Sequence, residues 1–350
     1  MGYRYIGSKD KLAHTLIELM LQKCPHAHSV IDLMAGTGLF SLALRKSGFR
    51  VLASDVMTYS FHHLVVNLKL NSAPSFNGLN SVLGEDCDYS KVISYLNQLN
   101  PVDGFFVREY SPAGVPQEGC KSRKYFTYEN AAKIDAIRAK IKEWNNLGYI
   151  TDIEHSLLLH DLIMAANDIA NIAGTYGHYL SHFVKRSMDS LILHPTIFDI
   201  DSNIDGHEIR KGYAEVIANE LYADICYIDP PYIKRQYAAN YHILETLARE
   251  DEPVAIGESG LRPWRDQYSN FCSKVKIRSS FDQILRNIHC NNIFISYSED
   301  GLLPIQDLVD FLSGYGLVET HEIRYKRFRS NNSSKGLELT EYLVYLQKNR

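Results

Sequence analysis

Short apolar runs that stop at an acid or a glycine alternate, in two separate stretches of the chain, with segments whose apolar positions recur every three or four residues. Residues 30–34 form the first run and end in a glycine-rich turn, after which 39–44 continue with helical spacing. Residues 51–54 stop at Asp55, and 61–70 are helical again. The alternation resumes far downstream, with strands over 225–228 and 293–297 and helices over 241–248 and 305–312. This order predicts an α/β fold with a mostly parallel sheet. The last two runs, 317–325 and 339–346, have no helix between them and predict an antiparallel hairpin at the sheet edge.

The middle of the chain has a different rhythm. Ile134, Ile137, Ile141 and Trp144 mark one amphipathic helix, with Arg138, Lys140 and Lys142 largely off its apolar stripe. Leu158, Leu162, Ala165, Ile169 and Ala173 mark a second, which Gly174-Thr175-Tyr176-Gly177 breaks, and Leu180, Val184 and Met188 predict a short third. We read this as a mainly helical domain inserted at 105–214 between two parts of one sheet domain, 1–104 and 215–350.

Composition narrows the chemistry. The chain has 350 residues, 45% hydrophobic and 22% charged, which is globular in character, with roughly two domains at ~150 residues each. A net charge of −4 excludes a wholesale basic polyanion binder and leaves local basic grooves as the way to meet nucleic acid. The six cysteines (24, 87, 120, 226, 272 and 290) include no CxxC pair, so reduced thiols and a cytoplasmic setting are expected, not a disulfide scaffold or zinc knuckle. His178 and His182 have ligand spacing without a third partner, so no metal is expected. No apolar run is long enough to span a membrane, and the first residues match neither a signal peptide nor a myristoylation pattern.

Two motifs carry chemistry. Asp32-Leu33-Met34-Ala35-Gly36-Thr37-Gly38 follows a strand and opens a helix, where glycines let a ligand approach the backbone. Asp55 stands 23 residues after Asp32, at the place of the acid that binds ribose hydroxyls. The turn lacks the full dinucleotide fingerprint and the lysine of a P-loop. Asp32 would repel phosphate and suit a cationic amino-acid end, which favours S-adenosylmethionine over NAD or ATP. Residues 82–83 read as a third strand leading to Asp86, a candidate for an adenine amino group, with Glu85 and Asp88 as rivals.

The second motif is Asp229-Pro230-Pro231-Tyr232, entered directly from an apolar strand. Two prolines end the ladder and bar Asp229 from helical geometry, so its carboxylate and the Pro230 carbonyl are held at a strand tip beside an aromatic platform. An exocyclic adenine amine is a poor nucleophile because its lone pair is delocalised. Two acceptors gripping its N–H bonds would free that pair and stabilise the positive charge developing on nitrogen.

Together with Arg4-Tyr5-Ile6-Gly7-Ser8-Lys9, these motifs resemble the D12 class of bacterial adenine-N6 DNA methyltransferases. The resemblance spans nearly the full chain, in family order, through Ser296–Leu302 and the last hairpin with Glu341-Tyr342-Leu343. It implies a Rossmann-like methyltransferase sheet, S-adenosylmethionine as cofactor, and methyl transfer to adenine N6 in double-stranded DNA after base flipping. It places Tyr5, Gly7, Ser8, Lys9, Asp32, Ala35, Gly36, Gly38, Asp55 and Asp86 at the cofactor, and Asp229, Pro230, Pro231 and Tyr232 at the reaction. It also implies a bacterial, nucleoid-associated cytoplasmic setting and, for part of the family, a separately encoded restriction endonuclease, with no metal and no membrane. Tyr125-Phe126-Thr127 and Gly174–Gly177 look familiar from members with a helical recognition domain.

DNA contacts fall to local basic clusters: Lys121, Arg123 and Lys124 in the insert, and Arg324, Lys326, Arg327 and Arg329 near the end, ranked above Lys274, Lys276 and Arg278. The stretch 259–265, with Trp264 and two arginines, serves either DNA entry or packing. Competing readings are cytosine-N4 transfer in DNA, against which Asp229 counts, adenine transfer in RNA, and a silent DNA-binding protein on the same scaffold. An NAD-dependent oxidoreductase fits neither the glycine pattern nor the terminal hairpin.

Overall fold

A strand covered on both faces has no polar side to show, so its side chains are apolar until it leaves the sheet. That is the character of the runs described above. The fold is that of a computed structural model, which describes residue 9 and residues 12–116, 121–200, 203–326 and 338–349. Its strands are β1 (Ser29–Asp32), β2 (Arg50–Asp55), β3 (Glu208–Lys211), β4 (Ile225–Ile228), β5 (Asn292–Ser298), β6 (Gly316–Lys326) and β7 (Glu338–Lys348). They form one sheet in the order β3-β2-β1-β4-β5-β7-β6. The first five in that order are parallel, and β7 runs antiparallel to both β5 and β6.

Neighbouring residues of each strand feed opposite cores. Ile31, Leu52, Cys226, Ile228, Ile293 and Ile295 pack on one face with the helices Ile277–Asn287 and Ile305–Ser313. Val30, Val51, Ala53, Ile225, Tyr227 and Phe294 pack on the other with the helices Ala13–Lys23, Leu39–Lys46 and Thr58–Lys69. The chain builds outward from β1 through β2 to β3, then returns to lay β4 on the other side of β1. This reversal puts a topological switch point at the carboxyl ends of β1 and β4, the place where sheets of this kind bind ligands.

The chain packs as two compact units. Of the described residues, the sheet unit takes those within Gly7–Leu68, Ser202–Tyr237 and Gln267–Arg350, and the other takes those within Lys69–Asp201 and Ala238–Asp266. The second unit is built on two long helices, Tyr128–Asn146 and Asp152–Ile169. Thr127 caps the first, and Thr151 with Glu154 forms a reciprocal capping box on the second. The familiar-looking aromatic motifs are internal here. Tyr125, Phe126 and Tyr176 are fully buried, and the Tyr125 hydroxyl donates to the carbonyls of Tyr176 and Ser259. No helix among the described residues is long and apolar enough to cross a membrane.

Three local expectations change. Residues 82–83 lie in a short helix, Asn80–Leu83, with Val82 exposed: two adjacent apolar residues with no buried partner do not make a strand. The strand beside β2 is instead β3, within the span read as the helical block, and its Glu-Ile-Arg-Lys sequence suits a half-exposed sheet edge. The short third helix is a loop with a 3₁₀ turn at Lys185–Met188, because the buried Asn171 side chain donates to the Leu180 carbonyl and accepts from the Val184 amide.

The turn after β5 is fixed by close packing. A Cβ on Gly301 would stand 2.3 Å from Cε1 of Tyr297, a fully buried ring whose hydroxyl accepts from the Leu303 amide. Gly301→Ala is expected to reduce unfolding free energy by about 1–3 kcal/mol through overpacking. Urea denaturation reads this; an unchanged midpoint would mean the turn re-seats freely.

Candidate functional site

Parallel pairing of β2, β1 and β4 brings three acids to one end of the sheet: Asp55 closes β2, Asp32 closes β1, and Asp229 follows β4. Asp32 is buried. Its Oδ2 accepts from the Ser41 hydroxyl at 2.6 Å, whereas Oδ1 has no hydrogen-bond partner among the described residues. Burial pushes this carboxyl up to about 7, against the pull of Ser41 and with help from Asp229 and Asp55. Asp55 holds the glycine turn itself, accepting from the amides of Gly36 and Met57 at 2.8 Å each.

The turn needs its glycines. Gly36 and Gly38 have φ of 56° and 72°, and a Cβ on Gly38 would stand 2.8 Å from Nδ2 of Asn67. Ala35 is tied to β2 by its amide, which donates to the Ser54 carbonyl. The result is a fixed loop that leads from the buried Asp32 carboxylate into the helix Leu39–Lys46.

Asp229 is held by Lys9. The ammonium lies 2.9 Å from Asp229 Oδ1 and 2.9 Å from Glu341 Oε1, and it stands 5.5 Å from the centre of the Tyr232 ring. The Lys9 and Glu341 side chains are 4% and 0% exposed, that of Asp229 18%, so of the three the Asp229 carboxylate alone has appreciable access from outside. Burial alone disfavours the Lys9 ammonium, but Asp229, with Tyr232 and Glu341, outweighs it and keeps Lys9 charged. Burial likewise raises the Asp229 carboxyl above its usual range; Lys9 opposes that shift and Glu341 reinforces it. Glu341 sits in β7, where Oε1 also accepts from the Ser296 hydroxyl of β5 at 3.0 Å.

Pro230 is buried and Pro231 half-buried. Tyr232 is anchored twice: its carbonyl accepts from the Leu302 amide at 2.9 Å, and its ring meets the edge of Tyr297 at 5.8 Å.

Other sequence candidates fall elsewhere. Asp86 is exposed, in the helical unit, with φ of 57°, and its rival Asp88 caps the helix Tyr89–Gln98. Arg123 is not a surface cation. It is 0% exposed, pairs with Glu109 at 2.9 Å and donates to the carbonyls of Ala255, Gly257 and Glu258. Arg262 is likewise packed, in a two-pronged pair with Asp251. Lys121 is exposed, Lys124 is half-buried and donates to the Ser181 carbonyl, and Arg324 is exposed beside Glu322. Tyr5, Gly7, Ser8, Arg327 and Arg329 lie outside the described residues, and of Lys326 only the backbone is described. Among the described residues no cluster of His, Cys, Asp or Glu is arranged to hold a metal ion.

Sequence reasoning gives Glu341 and Ser296 no role. The available signal was a single carboxylate inside the otherwise apolar run 341–346.

Comparison with known proteins converges on one family. The model for the D12 class N6 adenine-specific DNA methyltransferases matches residues 5–310. The chain is 35% identical over 352 residues to the type II methyltransferase M.FokI of Planomicrobium okeanokoites, covering 99% of this chain and 52% of that protein. It is 33% identical over 353 residues to the modification methylase StsI of Streptococcus sanguinis, with 99% and 52% covered. It thus spans about half the length of these two relatives. The type II methyltransferase M.NlaIII of Neisseria lactamica is matched at 32% identity over 351 residues, 98% of this chain and 99% of that one. With the glycine turn and the Asp-Pro-Pro-Tyr tip at adjacent strand ends, the chain belongs to the family of D12 class N6 adenine-specific DNA methyltransferases.

Proposed function

We propose that this chain transfers a methyl group to the N6 amine of adenine flipped out of double-stranded DNA, using S-adenosylmethionine. The observation that carries the reading is the Asp229 carboxylate, held in place by a buried lysine at the tip of β4, next to the end of β1 that carries Asp32. The residues fit the cofactor: Asp32 offers a buried oxygen, without a hydrogen-bond partner among the described residues, that suits an ammonium, and Asp55 stands at the end of the neighbouring strand, holding the glycine turn. S-adenosylmethionine, when bound, supplies a methyl carbon made electrophilic by its sulfonium.

Asp229 and the Pro230 carbonyl accept the two N–H bonds of the target amine, withdraw its lone pair from the ring, and stabilise the positive charge that grows on nitrogen. Tyr232 stacks on the base. The tie from Tyr232 to Leu302 and Tyr297 keeps that platform in place. The helical unit, with Lys121 and Lys124, reads the target, and Arg324 contributes phosphate contact. Arg123 takes no part. The cytoplasmic, nucleoid-associated setting and a separately encoded endonuclease belong to the same proposal. Isotope-labelled cofactor should label N6-methyladenine in duplex DNA by nucleoside mass spectrometry; label confined to cytosine or RNA would refute the reading.

Asp229→Asn keeps the shape and removes the charge. Single-turnover methylation is expected to fall a hundredfold to a thousandfold, about 3–4 kcal/mol, with cofactor affinity retained. A wild-type rate at saturating DNA would remove Asp229 from the chemistry.

Asp32 gives cofactor binding a pH dependence. Its carboxyl is raised to about 7, so below that pH it is largely protonated and cannot pair with an ammonium. Affinity is expected to climb as pH rises through about 7 and then level, with proton release on binding below it. Calorimetry in buffers of differing ionisation enthalpy measures both, and a flat affinity from about pH 6 to 8 would exclude Asp32 as the partner.

A further inference from the structure

The arrangement around Lys9 raises a question of charge. A lysine paired one-to-one with Asp229 would cancel the carboxylate's charge and weaken it as an acceptor for a nitrogen becoming positive. Lys9 is instead shared: Asp229 Oδ1 and Glu341 Oε1 each lie 2.9 Å from its Nζ. The buried group of one cation and two anions keeps one net negative charge, and Asp229 is its most exposed member. Glu341 is fully buried in β7, with Oε1 taking the Ser296 hydroxyl and Oε2 without a hydrogen-bond partner among the described residues. It therefore reaches a substrate only through Lys9.

We propose that Glu341 is a positioning residue for methyl transfer: by drawing half of the Lys9 ammonium to itself, it leaves on Asp229 the surplus negative charge that the alkylating amine requires. This rests on the reading of Asp229 as the acceptor. Among the described residues, the charged and titratable groups around Asp229 are Lys9 before the helix Ala13–Lys23, Glu341 on β7, Asp32 on β1, and Tyr227 and Tyr232 on either side along its own segment. Of these, Glu341 and Lys9 act in opposite senses on Asp229, Glu341 raising its carboxyl and Lys9 lowering it. Removing either one should therefore move the titration in a direction that identifies it.

The test compares Glu341→Gln, Glu341→Asp and Lys9→Met with the wild-type chain. In the ligand-free protein, carbon NMR of labelled aspartate follows the Asp229 carboxyl, assigned by its loss in Asp229→Asn. Glu341→Gln keeps an acceptor for Ser296 and should shift the midpoint down by about one pH unit. Single-turnover methylation at saturating cofactor and DNA should slow about tenfold on the pH plateau, the equivalent of that shift, with DNA affinity unchanged. Glu341→Asp keeps the charge and should restore both values towards wild type. Lys9→Met should shift the midpoint up, and it carries the test should Glu341→Gln fail to fold. An unmoved Asp229 midpoint in Glu341→Gln, or in Lys9→Met where that variant carries the test, overturns the proposal. So does an equal rate loss in Glu341→Asp and Glu341→Gln, which is the mark of a packing role. Because the titration is read without substrate, a wild-type chain that does not methylate adenine would count against the proposed activity while leaving the charge-sharing measurement intact.

Discussion

The site is organised around a buried ammonium. A lysine taken out of water is costly, and it stays charged only where anions are close enough to repay the lost hydration. Lys9 meets that condition with two carboxylates, one at the tip of β4 and one inside β7. Each needs the others: without the lysine, Asp229 and Glu341 would be like charges in a region of low polarity, and without them the lysine would shed its proton. The arrangement explains why a carboxylate can persist at the end of a strand whose other residues, Ile225 to Ile228, are wholly buried. It also revises the picture of Asp229 as a lone group at a strand exit. It is one corner of an ion cluster, and replacing it with alanine disturbs the pairing of Lys9 as well as the chemistry.

The backbone supports the cluster from several directions. Asp55 immobilises the glycine turn from the adjacent strand, and the Leu302 amide pins Tyr232 from the turn after β5. Neither contact is large. They act where a small displacement matters, since acceptor geometry at a reacting atom tolerates little drift.

The sequence disclosed the parts of the sheet that are buried on both faces, because continuous apolar runs closed by Asp55 and Asp229 have no other good explanation. It did not disclose β3, since Glu-Ile-Arg-Lys at a half-exposed edge looks like loop. Val82 and Leu83 misled for the converse reason, being apolar but unburied. Arg123 shows the limit of charge clustering. Beside Lys121 and Lys124 it resembles part of a phosphate-binding face, yet its partners are Glu109 and carbonyls from Ala255 to Glu258, far along the chain. Asp32, Asp55 and Asp229 were legible as strand-end acids. The role of Glu341 was not, because it depends on sheet order, which puts β7 next to β5.

That sheet order also bears on how the protein comes into being. Lys9 precedes β1, and Glu341 lies in β7, between β5 and β6 in the sheet. Contacts between such distant positions close late. While the chain is being made, the glycine turn and the Asp-Pro-Pro-Tyr tip exist for some time without the second anion. A chain that has reached β5 therefore carries the glycine turn and the Asp-Pro-Pro-Tyr tip and still lacks the charge balance of the finished site. The hairpin thus does more than close a sheet edge: it brings the second carboxylate that completes the set of buried charges.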